Sequence, residues 1–498
     1  MIRRKFLQGL GLLGLGAGLP FSAREAGAAA KPPGLKRNVA PVALKGKVQH
    51  NGKGIAGVAV TDGYNVVQTD QGGSYSFSSH PAAEFVYVSL PRGYAIPHEK
   101  GVARFYAPIK AGSKTQTANF ALEKLSVDDT KHAFVVWADP QIIDRQDAEK
   151  LLTQSAPDLQ QLVAQYGPDT PFHAIGCGDL VWDKFELFPD YKKAVEISGI
   201  PFFQVIGNHD LDLNARADDG SAQTFKSLFG PTYYSFNRGD IHYVVLDDVF
   251  FLGKGKNYIG YLTEEQLQWL EQDLSLVKPG STVVISVHIP VNNGDQRRNK
   301  APAESIGGVV ANRAELYRIL QPYKAHIMSG HTHYNEKVIT GNTMEHVHGT
   351  VCGAWWTGPI CKDGTPSGYG VYEVNGSDLR WYYKSVGKDK SHQFRLYPRG
   401  SVPGRPEEIA VNAWNWDPEW KVTWFEDGVR KGEMTQEISL DPLSVQLHAG
   451  ASLPAKHPWV EPGLTDHLFY ARPSAHAREI RVEVTDRFGQ VFAEKASV

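Results

Sequence analysis

Five apolar runs in the middle of the chain each stop at residues able to hold a cation. VVWADPQ ends in Asp139 and Gln141. HAIGCGDLVWD carries Gly178-Asp179 and, four residues on, Asp183, and FFQVIGNHD closes on Gly207-Asn208-His209-Asp210. Later runs end in Val287-His288 and in Gly330-His331-Thr332-His333. Asp139 and Gln141 are two apart, so on an extended strand they share a side and can address one point. Asp-Pro is equally a common turn opener, and that reading stands beside the first. Each cluster alone is weak, since Gly-Asp is an ordinary turn and a lone histidine is usually a satisfied core residue. Five in succession at run ends are a different matter. Imidazole, carboxylate and amide donors suit Mn, Fe, Zn or similar borderline ions rather than soft copper. Such an ion lowers the pKa of a water bound to it. No nucleophilic side chain is then required, which fits a sequence without Gly-x-Ser-x-Gly or a Cys-His pair.

The elements that must position these residues follow from periodicity. From about residue 131, apolar runs (AFVVWA, FHAIG, FFQVIG, HYVVLD, VVISV, AHIMSG) alternate with amphipathic stretches such as DAEKLLTQSAPDLQQLVAQY and TEEQLQWLEQDLSLV. Buried strands alternating with helices predict a layered α/β domain over 131–350, whose ligand crevice lies at the C-terminal ends of the strands. Residues 40–125 read instead as short alternating runs broken by turns (LKGKVQ, GVAVTDG, GSYSFSS, EFVYVSL), the pattern of a small β-sandwich. GKGIAGVAVTDG and TDQGGSYSF within it resemble prealbumin-like or carboxypeptidase-regulatory-like modules. Residues 351–498 return to short strands and predict a C-terminal β domain, its last hundred residues a second sandwich. No internal repeat is visible.

The order of the five clusters resembles the calcineurin-like metallophosphoesterases, whose pattern is D-x-H, G-D, G-N-H-[DE], a single His, then G-H-x-H. The resemblance covers roughly 131–350, and GAWWTGPICKDGTPSGYGVYEV with the flanking β modules resembles an exported bacterial subgroup. It implies an αββα metallophosphoesterase core flanked by N- and C-terminal β-sandwich domains. The one departure is Gln141 in place of the first His, and a D-P-Q form also occurs within the family. Carried over motif by motif, the resemblance implies that Asp139, Gln141, Asp179 and His333 surround one metal and Asp179, Asn208, His288 and His331 the other, Asp179 bridging two divalent or mixed-valence ions that, roughly 3.5–4 Å apart, would clamp a phosphoryl group and lower the pKa of a water between them. His209 becomes the proton donor to the leaving oxygen, a task suited to imidazole near neutral pH. Asp183 is the candidate to orient it, although it stands four residues after Asp179 where several relatives have three. A solvated helix-start carboxylate is the competing reading.

The chain is 498 residues long, enough for two to four domains, and its formal charge of −2 gives no reason to expect nucleic acid or an anionic membrane as partner. Its start, with Arg3-Arg4 before Phe6-Leu7, a glycine-diluted apolar stretch and AGAAA at 26–30, resembles a twin-arginine export signal over residues 1–30. The expectation is handling by the twin-arginine export machinery, no stable membrane span after cleavage, and a periplasmic or secreted protein. A membrane anchor is the alternative. Of three cysteines, Cys177 reads as a buried small hydrophobe. Cys352 and Cys361 can pair in an oxidising compartment or stay free. Arg297 and Arg298, after His288, either overhang the site to meet phosphate or are solvated loop residues. His242, His346 and His348 read as packing residues. Trp355, Trp356, Trp414, Trp416, Trp420 and Trp424 read mostly the same way, sugar stacking being the alternative.

Three functions follow. The leading one is an exported phosphoesterase acting on a phosphomonoester or phosphodiester. The second is a catalytically weakened relative that binds metal or phosphate, motivated by Gln141. The third is an envelope- or carbohydrate-binding protein working through its sandwiches.

Overall fold

The structure, a computed structural model, describes residues 40–497. The export segment expected over 1–30 lies outside the described residues.

Two sheets packed face to face make the core. The first has seven strands in the order Asp378–Ser385, Gly368–Asn375, Lys131–Trp137, Phe172–Cys177, Phe202–Val205, Val102–Ala103 and His98–Glu99. The second has six, in the order Tyr234–Arg238, Ile241–Val245, Thr282–Ser286, Lys324–Ser329, Thr343–Val347 and Glu336–Thr340. The inner strands of both run parallel. Their side chains alternate between faces as the pleat requires. Along the first of them Phe134 and Val136 enter the packing between the sheets with Ile175, Val205, Val284 and Met328, while Ala133, Val135 and Trp137 face helices on the other side. Those helices include Ala156–Tyr166 and Phe188–Ser198. Glu264–Leu274 and Arg313–Leu320 cover the outer face of the second sheet. The result is the expected αββα sandwich.

The sheets do not divide at the boundaries read from the sequence. Val102–Ala103, inside the N-terminal module, pairs in parallel with the Phe202–Val205 strand. Beyond residue 350, Gly368–Asn375 pairs antiparallel with Lys131–Trp137, and Asp378–Ser385 pairs with it in turn. The first sheet therefore takes edge strands from both flanking regions, which buries edges that would otherwise be open to other chains. The remainder of the C-terminal region is a sandwich of two four-stranded sheets around Val411, Val422, Phe469 and Val482. Among the described residues no helix is long and apolar enough to cross a membrane.

Candidate active site

All five residue clusters sit directly after a parallel strand. Asp139 follows the strand ending at Trp137, Asp179 that ending at Cys177, and Asn208 that ending at Val205. His288 follows Ser286, and His331 follows Ser329. Parallel strands align their C-terminal ends, so the five loops meet.

The reason given for pairing Asp139 with Gln141 needs correction. Both have left-handed backbone, with φ of 48° and 40°, and lie beyond the strand end, so strand alternation does not align them. The loop is held by the Gln141 N–H donating to the Asp179 carbonyl at 2.8 Å and by a parallel bridge between Ile142 and Val181. Asp179, Asp183, His331, His333, Trp355 and Trp356 are left-handed too. Such backbone is unfavourable for side chains with a Cβ and gathers at functional sites. The motif glycines serve close approach. A Cβ on Gly178, itself at φ +79°, would stand 2.2 Å from the His288 ring, and one on Gly207 would stand 2.0 Å from the Asp179 backbone nitrogen.

Asp179 is the hub. One of its oxygens accepts the His209 N–H at 2.9 Å and lies 3.3 Å from His288 Nε2, while the other accepts from the Gln141 amide at 3.1 Å. His288 Nε2 is also 3.2 Å from both Asn208 Oδ1 and His331 Nδ1. Asp139 accepts the His331 N–H at 2.9 Å, and His333 Nε2 stands 3.8 Å from it. Asp139, Gln141, Asp179, Asn208, His288 and His333 are buried. Each of the three histidines has one ring nitrogen against a backbone carbonyl: His288 Nδ1 with Cys177 at 3.0 Å, His331 Nε2 with Gly307 at 3.0 Å, His333 Nδ1 with Gly353 at 2.8 Å. A carbonyl fixes the proton on the nitrogen it faces, so in the neutral ring the other nitrogen turns its lone pair to the centre.

Charge balance points the same way. Burial opposes a charge on His288, yet the Asp179 carboxylate raises it to about 10. Burial lifts Asp139 to about 8, with Asp179 adding to it. Burial, reinforced by His288, depresses His331 to about 3, and burial, with Lys362 adding to it, drives His333 to about 3. The cluster is thus short of positive charge beside Asp139 and Asp179, a charge that His288 takes up as a second proton where no cation supplies it, while His331 and His333 offer neutral imidazoles. The buried Gln141 Oε1 has no hydrogen-bond partner. Asp179, His288 and His331 place ligand atoms within 4.8 Å of one another. This donor set fits bound cations.

His209 stands at the rim. Its Nδ1 is 2.9 Å from Asp183 Oδ1, and the other Asp183 oxygen binds Lys256. Asp183 is therefore engaged, not a solvated helix-start carboxylate. Trp182 lies edge-on to the His209 ring at 5.5 Å, and Trp355 stacks on His333 at 4.1 Å. Trp459, 54% exposed, lies 4.7 Å from Trp355. The segment bearing it is tied down by Lys456, which pairs with Asp144 and Asp147. Trp355 thus borders the site, whereas Trp420 and Trp424 are buried in the C-terminal sandwich and Trp414 is buried outside that core.

The Arg297–Arg298 stretch is a short helix, Asp295–Asn299, and not a free loop. Arg298 is buried, pairs with Glu336, stands 5.0 Å over Tyr334 and lines a cavity of about 230 Å³ beside His331. Arg297 pairs with Asp466. Cys352 and Cys361 are both buried free thiols, and Cys177 is buried as expected. His242 is packed against Asp273, and His346 and His348 are buried.

Sequence reasoning gave no role to Asp210 or Asp248. Asp210 accepts N–H groups from Gly207, Leu180 and Val181, joining two site loops. Asp248 accepts the His288 and Ile289 N–H groups. The position of Asp248 at the end of HYVVLDD was the available signal. Lys256 had none.

Three family models match in tandem: the N-terminal domain of calcineurin-like phosphoesterase at 42–125, calcineurin-like phosphoesterase at 134–335, and its C-terminal domain at 345–492. Together they take in well over half of the chain. The chain belongs to the calcineurin-like phosphoesterases, a class of metal-dependent phosphoester hydrolases. Among curated proteins, purple acid phosphatase 15 of Arabidopsis thaliana is 31% identical over 134 residues, 25% of this chain and 22% of that protein. The chain therefore matches only about a fifth of that relative's length. Among solved structures, the purple acid phosphatase PPD1 of yellow lupin is 15% identical, with a TM-score of 0.38 over 70% of this chain and 72% of that one. A putative 5'-nucleotidase from Staphylococcus aureus is 12% identical, with a TM-score of 0.31 over 73% and 89%.

Proposed function

We propose that the chain is an exported two-metal phosphoesterase that hydrolyses a phosphomonoester or phosphodiester. The observation that carries this reading is the set of histidines His288, His331 and His333, each pinned by a backbone carbonyl with its other nitrogen turned toward Asp179 or Asp139. Asp139, Gln141, Asp179 and His333 would hold one ion. Asp179, Asn208, His288 and His331 would hold the other. When bound, Mn, Fe or Zn supplies the positive charge that clamps the phosphoryl oxygens and acidifies a water for in-line attack.

The remaining steps belong to the chain. His209, at the rim and backed by Asp183, gives its proton to the departing oxygen. Asp183 orients the imidazole through Nδ1, and Lys256 holds Asp183 from its other side. Asp210 and Asp248 keep the loops in register through backbone N–H groups. Trp182 and Trp355 wall off solvent next to the proton donor and His333.

Export through the twin-arginine machinery to the periplasm or beyond rests on residues 1–30. It suits a protein that must acquire its metals while folding inside the cell.

Metal content measured together with hydrolysis of mono- and bis-(nitrophenyl) phosphate tests the reading. About two ions per chain with turnover of either ester is expected. Metal without turnover indicates a binding relative, and neither metal nor turnover leaves the sandwiches as the working parts.

A further inference from the structure

A cavity of about 600 Å³ lies behind the 351–366 loop, on the side away from the metal-seeking residues. Its wall includes Lys150, Lys388 and Arg395, and no carboxylate lines it. Among the described residues none of these three cations makes an ion pair. Lys150 gives its ammonium to the Trp356 carbonyl at 2.9 Å. Arg395 lies between the Trp414 and Tyr397 rings, at 5.7 and 6.0 Å, and donates to the Gly364 carbonyl at 3.0 Å and the Tyr397 hydroxyl at 3.2 Å. Of the acids near Arg395, Glu494 accepts the Leu396 N–H at 3.2 Å, and Asp441 accepts from the Tyr397 hydroxyl at 2.7 Å. Three cations lining one cavity that no carboxylate faces, two of them bonded only to neutral groups, suit a counter-charge.

Two further features mark the place. His392, also lining the cavity, is pushed down to about 4 by burial first, with Arg395 and Lys388 adding to it. The helical wall carrying Lys150 and Ser155 contains a π-helical turn, Leu151–Ser155, a distortion found preferentially at functional positions.

We propose that this cavity is a second anion site, separate from the active site, which takes a small phosphate anion bearing two or more charges. A single carboxylate would balance only one of the three cations. A diphosphate presents oxygens on several sides, matching the ammonium and guanidinium donors and the Ser155, Ser367 and Ser385 hydroxyls along the wall. Trp356 is the partition between the two sites. Its ring N–H donates to the Pro140 carbonyl, between Asp139 and Gln141, at 2.9 Å, and its own carbonyl faces Lys150.

The probes are pyrophosphate and inorganic phosphate, titrated calorimetrically into the full chain after chelation and dialysis, so that no metal competes for them. Lys388 is exposed and lies outside the proposed catalytic machinery, so Lys388→Glu leaves fold and nitrophenyl phosphate turnover intact. Pyrophosphate should bind the unaltered chain more tightly than phosphate, and Lys388→Glu should weaken it at least 10-fold. Lys421→Glu, the same charge change at an exposed strand position elsewhere, should alter it less than twofold. Absence of pyrophosphate binding, or equal losses in both variants, would overturn the assignment.

Discussion

Asp183 Oδ1 stands 2.9 Å from His209 Nδ1, leaving Nε2 as the ring nitrogen able to face a substrate. Removing His209 should then cost proton transfer and spare the cations. His209→Ala is expected to lower turnover of an alkyl phosphate by roughly 10²–10⁴-fold, the usual scale for a general acid. The loss should shrink for nitrophenyl phosphate, whose leaving group departs without a proton. Metal content should stay at the wild-type value; an emptied site would place His209 among the ligands instead.

Asp179→Asn should be the most damaging single change. Asp179 touches Gln141, His209 and His288 together, and its charge is what raises His288. The amide keeps the shape and loses the charge, so both ions should dissociate on dialysis. Two ions retained by the variant would show that another group bridges them.

The metal-seeking residues were legible because each lies where an apolar run stops, and parallel strands bring such stops together. The reach of Gln141 was legible only in outcome. Its contact with Asp179 comes from left-handed backbone after Asp139, and no periodicity records that. The strands that cross from one region into another were not legible either. Val102–Ala103 and Gly368–Asn375 join the core sheet by hydrogen bonds to distant strands, a tertiary choice that local alternation does not carry. Trp355 and Trp459 meet across about a hundred residues of chain, so their shared place at the rim was invisible to any local pattern.

That rim gives a prediction of its own. Trp459 is 54% exposed, so Trp459→Ala should leave the fold intact. If the aromatic rim receives the leaving group, KM for nitrophenyl phosphate should rise about 3- to 10-fold at unchanged kcat, the scale of one aromatic contact of about 0.5–1.5 kcal/mol. KM for glycerol phosphate should not move. An equal rise for both esters would mean that Trp459 shapes the loop without touching substrate.

Replacing Arg3 and Arg4 together by Lys should leave precursor in the cytoplasm, because the twin-arginine route reads the guanidinium pair and a general secretory signal reads charge. Cell fractionation decides it. Normal export of the Lys-Lys variant would assign the chain to the general route and leave the enzymatic reading untouched.

Gln141 separates the two ions. Its amide is buried, with Nε2 on Asp179 and Oε1 lacking a hydrogen-bond partner. A carboxamide oxygen is a neutral and weaker donor than imidazole toward borderline divalent cations, so the ion beside Asp139 and His333 should be the more weakly held. Stepwise chelation should pass through a one-metal form. Gln141→Ala should weaken that ion by about 10–100-fold if the amide acts by supporting the ligands. It should leave untouched the ion at His288 and His331, whose ring nitrogens are fixed by Cys177 and Gly307. Gln141→His should tighten the weaker ion and keep activity. Metal titration of both variants is the measurement, and unchanged affinity and rate in Gln141→Ala would make the amide a bystander, leaving Asp139 and His333 to hold that ion with Asp179 alone.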